Sequence, residues 1–321
     1  MTHALYPLHL QPSLHVKVWG GRRLASHMHK TLPDEQPYGE AWEIHDTAII
    51  SNGTLAGQTL GAALATYGHD LIGAHNDPAD GLPLLAKLLD ASDWLSVQVH
   101  PDDAQARQLE GDPRGKTEAW VMLATEADAK LVIGVEAGTE REAVAQAIRE
   151  NKLEPLLAYA EISAGDVLFI PANTVHAIGP GILLYEIQQS SDLTYRLYDW
   201  GRVGLDGQPR PLHIDKGVQV ANLTSLPKIT HINPDTDIAE VVTCDYFRTD
   251  LHRLRAAATH SISTNGTFHA LTCTTGRLQV TSGDAGITLS SGQSAFIPAV
   301  LPSYTLAGVG ETLVSYQAAF R

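Results

Sequence analysis

Gln98 and His100 lie two residues apart in Leu95-Ser96-Val97-Gln98-Val99-His100, and this spacing is the first sign of chemistry in the chain. Residues two apart on a strand project to one face, so an amide and an imidazole point together while Leu95, Val97 and Val99 share the other face. Two more potential ligands follow: Glu118, in Gly115-Lys116-Thr117-Glu118, and His176, in Pro171-Ala172-Asn173-Thr174-Val175-His176. One carboxylate, two imidazoles and an amide, with no thiolate, suit Zn2+ and also permit Mn2+, Co2+ or Fe2+. Gln98 is the weakest donor of the four, and holding another ligand in place is an alternative role for it. Lys116, two residues before Glu118, faces the same cavity if this segment is a strand.

These residues need a β framework. Short strands broken by Gly, Pro, Asn and Asp are expected at Trp94–His100, Glu118–Leu123, Lys130–Val135, Val167–Ile170, Ile182–Gln188, Ala270–Thr274 and Arg277–Thr281. Helical spacing marks Thr59–Ile72 and, more strongly, Thr139–Ala158, where Val144, Ala147, Ile148, Leu153, Leu156 and Leu157 form a stripe. Asp102-Asp103 ahead of Ala104–Leu109 reads as a short capped helix. Many short strands and few helices predict a mainly β protein, a sandwich or barrel with helices outside.

An internal repeat refines this expectation. Gly165-Asp-Val-Leu-Phe-Ile-Pro-Ala172 recurs as Gly292-Gln-Ser-Ala-Phe-Ile-Pro-Ala299, and at that offset His176 aligns with Ser303. Two similar β units are implied, and only the first keeps a metal-binding imidazole. The polar stretch Leu226–Glu240 is the expected boundary, giving a metal-binding unit over residues 1–225 and a second unit without ligands over 226–321.

Bulk composition narrows the partners. The chain has 321 residues, 44% of them apolar, and a formal charge of −14. That charge repels nucleic acid and anionic membrane surfaces. No apolar run is long enough to span a bilayer. The opening Met1–Pro7 lacks the basic segment and apolar core of a secretion signal, and Cys244 and Cys273 are the only cysteines. A cytoplasmic location with reduced thiols is the expectation, as monomer or homodimer. A small phosphorylated substrate stays compatible, because clustered Arg and Lys can reverse the potential in one cleft.

The first copy of the repeat fits the second cupin motif, with Asn173 where Gly is usual, and Gln98/His100 followed by Glu118 resembles the first cupin motif with an insertion. Two cupin-type barrels or jelly rolls with a few peripheral helices are therefore expected, the second degenerate. Longer strings go further. Val18-Trp-Gly-Gly21, Gly39-Glu-Ala-Trp-Glu43, Leu85–Asp90, Leu95–Asp103, Gly115–Trp120, Tyr185–Arg196 and Tyr198-Asp-Trp200 together resemble type I mannose-6-phosphate isomerase in its short bacterial form. Two departures are His45, where Ser is commoner, and Leu193, inside a run that often reads Ser-Asp-Thr-Thr-Tyr-Arg.

The resemblance implies a metal-dependent aldose–ketose isomerase that interconverts mannose 6-phosphate and fructose 6-phosphate through a cis-enediolate. It implies Gln98, His100, Glu118 and His176 as metal ligands and Arg196 as the catalytic, enediolate-stabilising cation. Lys116 would bind substrate oxygens or join the proton relay. Trp42 and Glu43 read as core and scaffold, with Glu43 also a substrate contact. Arg202 and Arg210 are unranked candidates for the phosphate. Lys116, a coordinated water and His45 all remain open as general base. Two other functions share the ligand set: an Fe2+-dependent cupin oxygenase and a non-catalytic sugar-binding cupin. Neither accounts for the Tyr185–Trp200 string.

Overall fold

The computed structural model describes residues 4–256 and 258–317. The chain is mainly β, in antiparallel sheets, with short helices at the periphery. A seven-stranded sheet carries Ser13–Gly21, Tyr38–Ile44, Leu84–Ala91, Ile182–Gln189, Glu118–Thr125, Asp166–Ile170 and Ile229–His231. A nine-stranded sheet is built mostly from residues after Ile238, with His269–Ser282 and Ser303–Tyr316 as its long central pair. Two strands from the beginning of the chain complete it: Leu8–Gln11 pairs with Ser294–Ile297, and Ile49–Ile50 pairs with Leu8–Gln11. The sheets thus exchange strands across the expected boundary, and Ile229–His231 returns to pair with Asp166–Ile170.

One apolar core runs through both sheets. It joins Leu84, Leu88 and Ile187 of the first to Phe247, Phe268, Phe296 and Leu313 of the second, and Phe268 stacks on Phe296 at 5.0 Å. Polar groups cross the same core in satisfied pairs: Tyr185 Oη lies 2.8 Å from Ser315 Oγ, and Ser294 Oγ donates to Glu43 Oε2 at 2.8 Å. Buried polar groups are tolerated at a junction only when partnered in this way.

Several expected elements stand with small shifts. Lys130–Val135 is a strand, and Asp103–Glu110 is a helix with Asp102 as N-cap, closed by Gly111 in the left-handed region. Thr59–Ile72 is helical in two pieces, Leu60–Tyr67 and His69–Ile72, because Gly68 breaks it at φ +49°. Ala270–Thr274 and Arg277–Thr281 are one strand, His269–Ser282, with a bulge between Cys273 and Thr275. The long helix expected over Thr139–Ala158 is a correction: it ends at Arg149. Asn151 turns the chain at φ +55°, and Pro155, which lacks an N–H and restricts the residue before it, starts a single 3-10 turn. Leu157 then enters a strand, Leu157–Glu161. Cys244 and Cys273 are both free.

The repeat is visible in three dimensions. Gly165 and Gly292 each take a positive φ (+88° and +78°) and each donates its N–H to a carbonyl across the sheet, Met122 at 2.8 Å and Cys273 at 2.7 Å. A Cβ on Gly292 would lie 1.9 Å from the Met28 carbonyl oxygen, whereas one on Gly165 would meet only the ring of the exposed His231, at 2.9 Å. Gly292→Ala is therefore expected to cost about 2–4 kcal/mol and Gly165→Ala about 1–2 kcal/mol in urea denaturation. Equal costs would contradict the close approach at Met28.

Candidate metal centre and active site

The site is assembled by pairing between the two motif segments. Gln98 and His176 form an antiparallel bridge, exchanging backbone hydrogen bonds of 2.9 and 3.0 Å, and this sets Gln98 Nε2 3.2 Å from His176 Nε2. Val97–Val99 carries Gln98 and leads directly into His100. Glu118 opens the strand Glu118–Thr125, opposite Ile170 on one neighbour and Gln188 on the other. Ligand atoms of His100, Glu118 and His176 all fall within 4.8 Å of one another, and the three residues are buried. Glu118 Oε1 is 3.3 Å from His176 Nε2, and Oε2 is 3.7 Å from His100 Nε2.

The imidazoles are oriented from behind. His100 Nδ1 lies 2.8 Å from the Leu193 carbonyl and His176 Nδ1 lies 2.9 Å from the Thr174 carbonyl. A carbonyl only accepts, so each Nδ1 carries the proton and each Nε2 lone pair faces the cluster. The Leu193 position contributes through its backbone, which makes its side chain free to vary. Asn173 is in the left-handed region at φ +72°, a conformation Asn tolerates in place of Gly, and its amide donates to Gln105 Oε1 at 2.6 Å. His100 Nε2 and Glu118 Oε1 are buried without a hydrogen-bond partner. A bare His100 Nε2, a His176 Nε2 met only by the Gln98 amide nitrogen, and an unsatisfied carboxylate oxygen fit a divalent cation, and a turn of the Gln98 amide would let its oxygen complete a four-donor set. Burial lowers His100 well below its usual pKa, with Lys116 and His176 adding to the effect, and burial brings His176 to about 4. Both rings are therefore neutral at pH 7, as metal ligation requires.

A row of charges adjoins this cluster. Trp42, Lys87, Glu186 and Trp120 lie directly opposite one another across four adjacent strands. Lys87 Nζ is 3.0 Å from Glu186 Oε1, Trp120 Nε1 donates to Glu186 Oε2 at 3.0 Å, and Lys116 Nζ is 2.8 Å from Glu118 Oε2 and 4.0 Å from Glu186 Oε1. Burial raises Glu118 despite Lys116. For Glu186 burial acts in the same direction, but Lys87 and Lys116 outweigh it and hold the carboxylate well below its usual range. Sequence reasoning missed Lys87 and Glu186. Their signal was present: each is a charged residue set within a strongly apolar run, Leu84-Leu-Ala-Lys87-Leu-Leu and Ile182-Leu-Leu-Tyr-Glu186-Ile.

A cavity of about 270 Å3 is lined by Gln98, Lys116 and Arg196 among others; His100, Glu118 and His176 are not in its lining, and Gln98 and Lys116 connect it to them. Five cations border it (Lys17, Lys87, Lys116, Arg196, Arg210) against three carboxylates (Glu40, Glu186, Asp192), a local excess of positive charge in an acidic chain. Arg196 pairs with Gln98 across the Tyr195–Tyr198 and Val97–Val99 strands. Its Nη1 donates to the Pro211 carbonyl at 2.9 Å, while its Nε is buried with no partner. Arg210 reaches the cavity and is braced by Asp199 at 2.7 Å through Nε. Arg202 spans Asp199 and Asp93 and is not part of the lining. Two expected residues are set apart. Glu43 lies three positions beyond the cavity residue Glu40, and its carboxylate is buried against Lys30 at 2.5 Å and Ser294. His45 bonds Thr47 at 3.0 Å and packs edge-on to Trp42, outside the lining. Lys87→Met leaves Glu186 buried without its main counter-charge, so we expect a loss of about 3–5 kcal/mol in chemical denaturation. A loss below about 1 kcal/mol would show that water compensates Glu186.

The family profile "Phosphomannose isomerase type I, catalytic domain" matches residues 8–119, and "Mannose-6-phosphate isomerase, cupin domain" matches residues 237–317. A mannose-6-phosphate isomerase of Streptococcus mutans is 40% identical over 68% of this chain and 68% of its own length. The mannose-6-phosphate isomerase ManA of Bacillus subtilis is 33% identical over 97% of this chain and 98% of its own. The crystal structure of a mannose 6-phosphate isomerase from Bacillus subtilis superposes with a TM-score of 0.87 at 29% identity, covering 97% of this chain and 99% of that one. The mainly β architecture with a C-terminal cupin domain agrees with these relatives, and the chain belongs to the type I mannose-6-phosphate isomerase family.

Proposed function

We propose that the protein interconverts mannose 6-phosphate and fructose 6-phosphate as a metal-dependent aldose–ketose isomerase. The observation that carries this reading is the joining of a His/Glu/His cluster to a cavity ringed by cations, in a chain of this family. Gln98, His100, Glu118 and His176 would hold one divalent ion, Zn2+ by the chemistry of the donors, and that ion would supply Lewis-acid polarisation of the sugar oxygens.

The chain's own residues have separate tasks. Isomerisation removes a proton from one sugar carbon and returns it to the neighbouring carbon, and negative charge builds on the oxygens as the cis-enediolate forms. Arg196, with an unpartnered buried Nε at the cavity wall, meets that charge. Lys116, beside the carboxylates of Glu118 and Glu186, donates to substrate oxygens and takes part in the proton relay. Lys87 fixes Glu186, and Glu118, with Glu186 at longer range, fixes Lys116. Arg210 ranks ahead of Arg202 as the phosphate contact because it lines the cavity. An iron oxygenase has no use for this ring of cations, and a passive sugar binder has none for a guanidinium whose buried Nε is left without a partner.

The remaining assignments follow the same reading. Residues 1–225 would form the metal-binding unit and residues 226–321 the degenerate cupin, the two laced together by the exchanged strands. No described helix is long and apolar enough to cross a membrane. A cytoplasmic location is part of the same reading, and the two free cysteines are compatible with it.

In a coupled assay with mannose 6-phosphate, Arg196→Ala is expected to lower kcat by about 100-fold or more with its metal content unchanged. Full turnover in that variant would refute the role given to Arg196. Arg210→Ala is expected to raise KM by about tenfold with kcat nearly preserved. A fall in kcat with KM unchanged would move Arg210 from anchoring to catalysis.

A further inference from the structure

The nine-stranded sheet encloses a cavity of its own, about 150 Å3 in volume, that shares no lining residue with the catalytic one. Its walls come from Arg248–Leu254, His269–Ser282 and Ser303–Tyr316, and the turn at 263–267 and the segment 72–76 close it. Gly73 and Thr267 bridge across that closure, and the Asn76 amide donates to Gln317.

Two buried imidazoles face this space. His269 is 3% exposed, with Nδ1 3.0 Å from Tyr304 Oη and its ring stacked on Tyr316 at 4.6 Å. His252 is 7% exposed, with Nδ1 3.2 Å from His260 Nδ1. Among the described residues neither Nε2 has a hydrogen-bond partner, so each ring is held by one edge and offers the other to the cavity. Burial lowers both to about 4, with His260 adding to the effect at His252, and both are neutral at pH 7.

The rest of the lining selects by charge. No lysine or arginine borders the cavity, in contrast to the five cations of the catalytic one. Its one carboxylate, Asp250, is already engaged by Tyr316 Oη at 2.6 Å and by Arg248 at 3.0 Å. Hydroxyl and amide groups of Thr264, Asn265 and Gln317 alternate with aliphatic surface from Ile72, Ile262 and Val314. Such a surface offers a phosphate no lysine or arginine, and suits a molecule that hydrogen-bonds without carrying charge. A cavity of this volume accepts a six-membered ring.

We propose that this cavity binds an uncharged, hydroxyl-bearing small molecule no larger than a monosaccharide, an unphosphorylated sugar or cyclic polyol, through the Nε2 edges of His252 and His269. The second β unit is then a ligand-binding module that lost metal ligation but kept a polar pocket. The site is distinct from the catalytic cavity, so its occupancy is independent of mannose 6-phosphate.

The test uses the full chain with 15N-labelled histidine, titrated with D-mannose, with the imidazole signals assigned from His252→Gln and His269→Gln. The proposal expects saturable movement of the His252 and His269 signals, unchanged by saturating mannose 6-phosphate. His252→Leu should weaken the affinity about tenfold while turnover of mannose 6-phosphate stays at the wild-type level, which also certifies the fold. Should that variant fail to fold, Ser263→Trp, at an exposed rim position, blocks entry without touching the rings and should abolish the movement. No saturable movement in the wild-type chain overturns the proposal. So does displacement by mannose 6-phosphate, or binding that persists in Ser263→Trp.

Discussion

Charge neutrality in a buried cavity floor is the constraint on which the rest depends. Lys87, Lys116, Glu118 and Glu186 are each at most 4% exposed, and their formal charges cancel. The cancellation is uneven. Glu186 receives both lysines and a Trp120 N–H, while Glu118 receives Lys116 alone, on Oε2, which also lies 3.7 Å from His100 Nε2, and turns Oε1 toward His176. The group left short of positive charge is therefore the one that faces the candidate metal position. A divalent ion there would complete the shell of Glu118 and would leave the cavity positive, suited to an anionic substrate.

The fold is arranged to hold that floor still. Lys87 and Glu186 sit directly opposite each other on adjacent strands of the seven-stranded sheet, where register leaves little freedom, and Lys116 reaches them from the segment just before the strand Glu118–Thr125. The second β unit supports the first from behind through a shared apolar core and through Glu43, which spans Lys30 and Ser294. Exchange of Leu8–Gln11 into the nine-stranded sheet makes the two units difficult to separate mechanically. Catalytic positioning and global stability thus draw on the same contacts.

Much of the site was legible because strand geometry is simple. The two-residue spacing brought Gln98 with His100 at the end of the strand Val97–Val99, and the Gly-to-Pro repeat marked two equivalent strands; Lys116 meets Glu118 although the strand expected to carry both begins only at Glu118. Pairing between distant strands was not legible. Nothing in the local sequence places Arg196 opposite Gln98, or Lys87 opposite Glu186, since register arises from the assembled sheet. Glu43 reads as core and scaffold in sequence, and its carboxylate is directed into the core between the sheets; the substrate contact also read there came from the string it shares with the cavity residue Glu40. The overlong helix after Thr139 arose from an apolar stripe that continues through Leu153, Leu156 and Leu157, residues buried by a turn and a strand once Pro155 has ended helical hydrogen bonding.

The central claim is that an ion held by His100, Glu118 and His176, with Gln98, is required for sugar isomerisation. The direct measurement is metal content per chain together with mannose 6-phosphate turnover, before and after stripping with a chelator and after reloading with Zn2+. The account predicts about one ion per chain, loss of turnover on stripping and its return on reloading. Undiminished turnover by a chain holding no stoichiometric metal would contradict it.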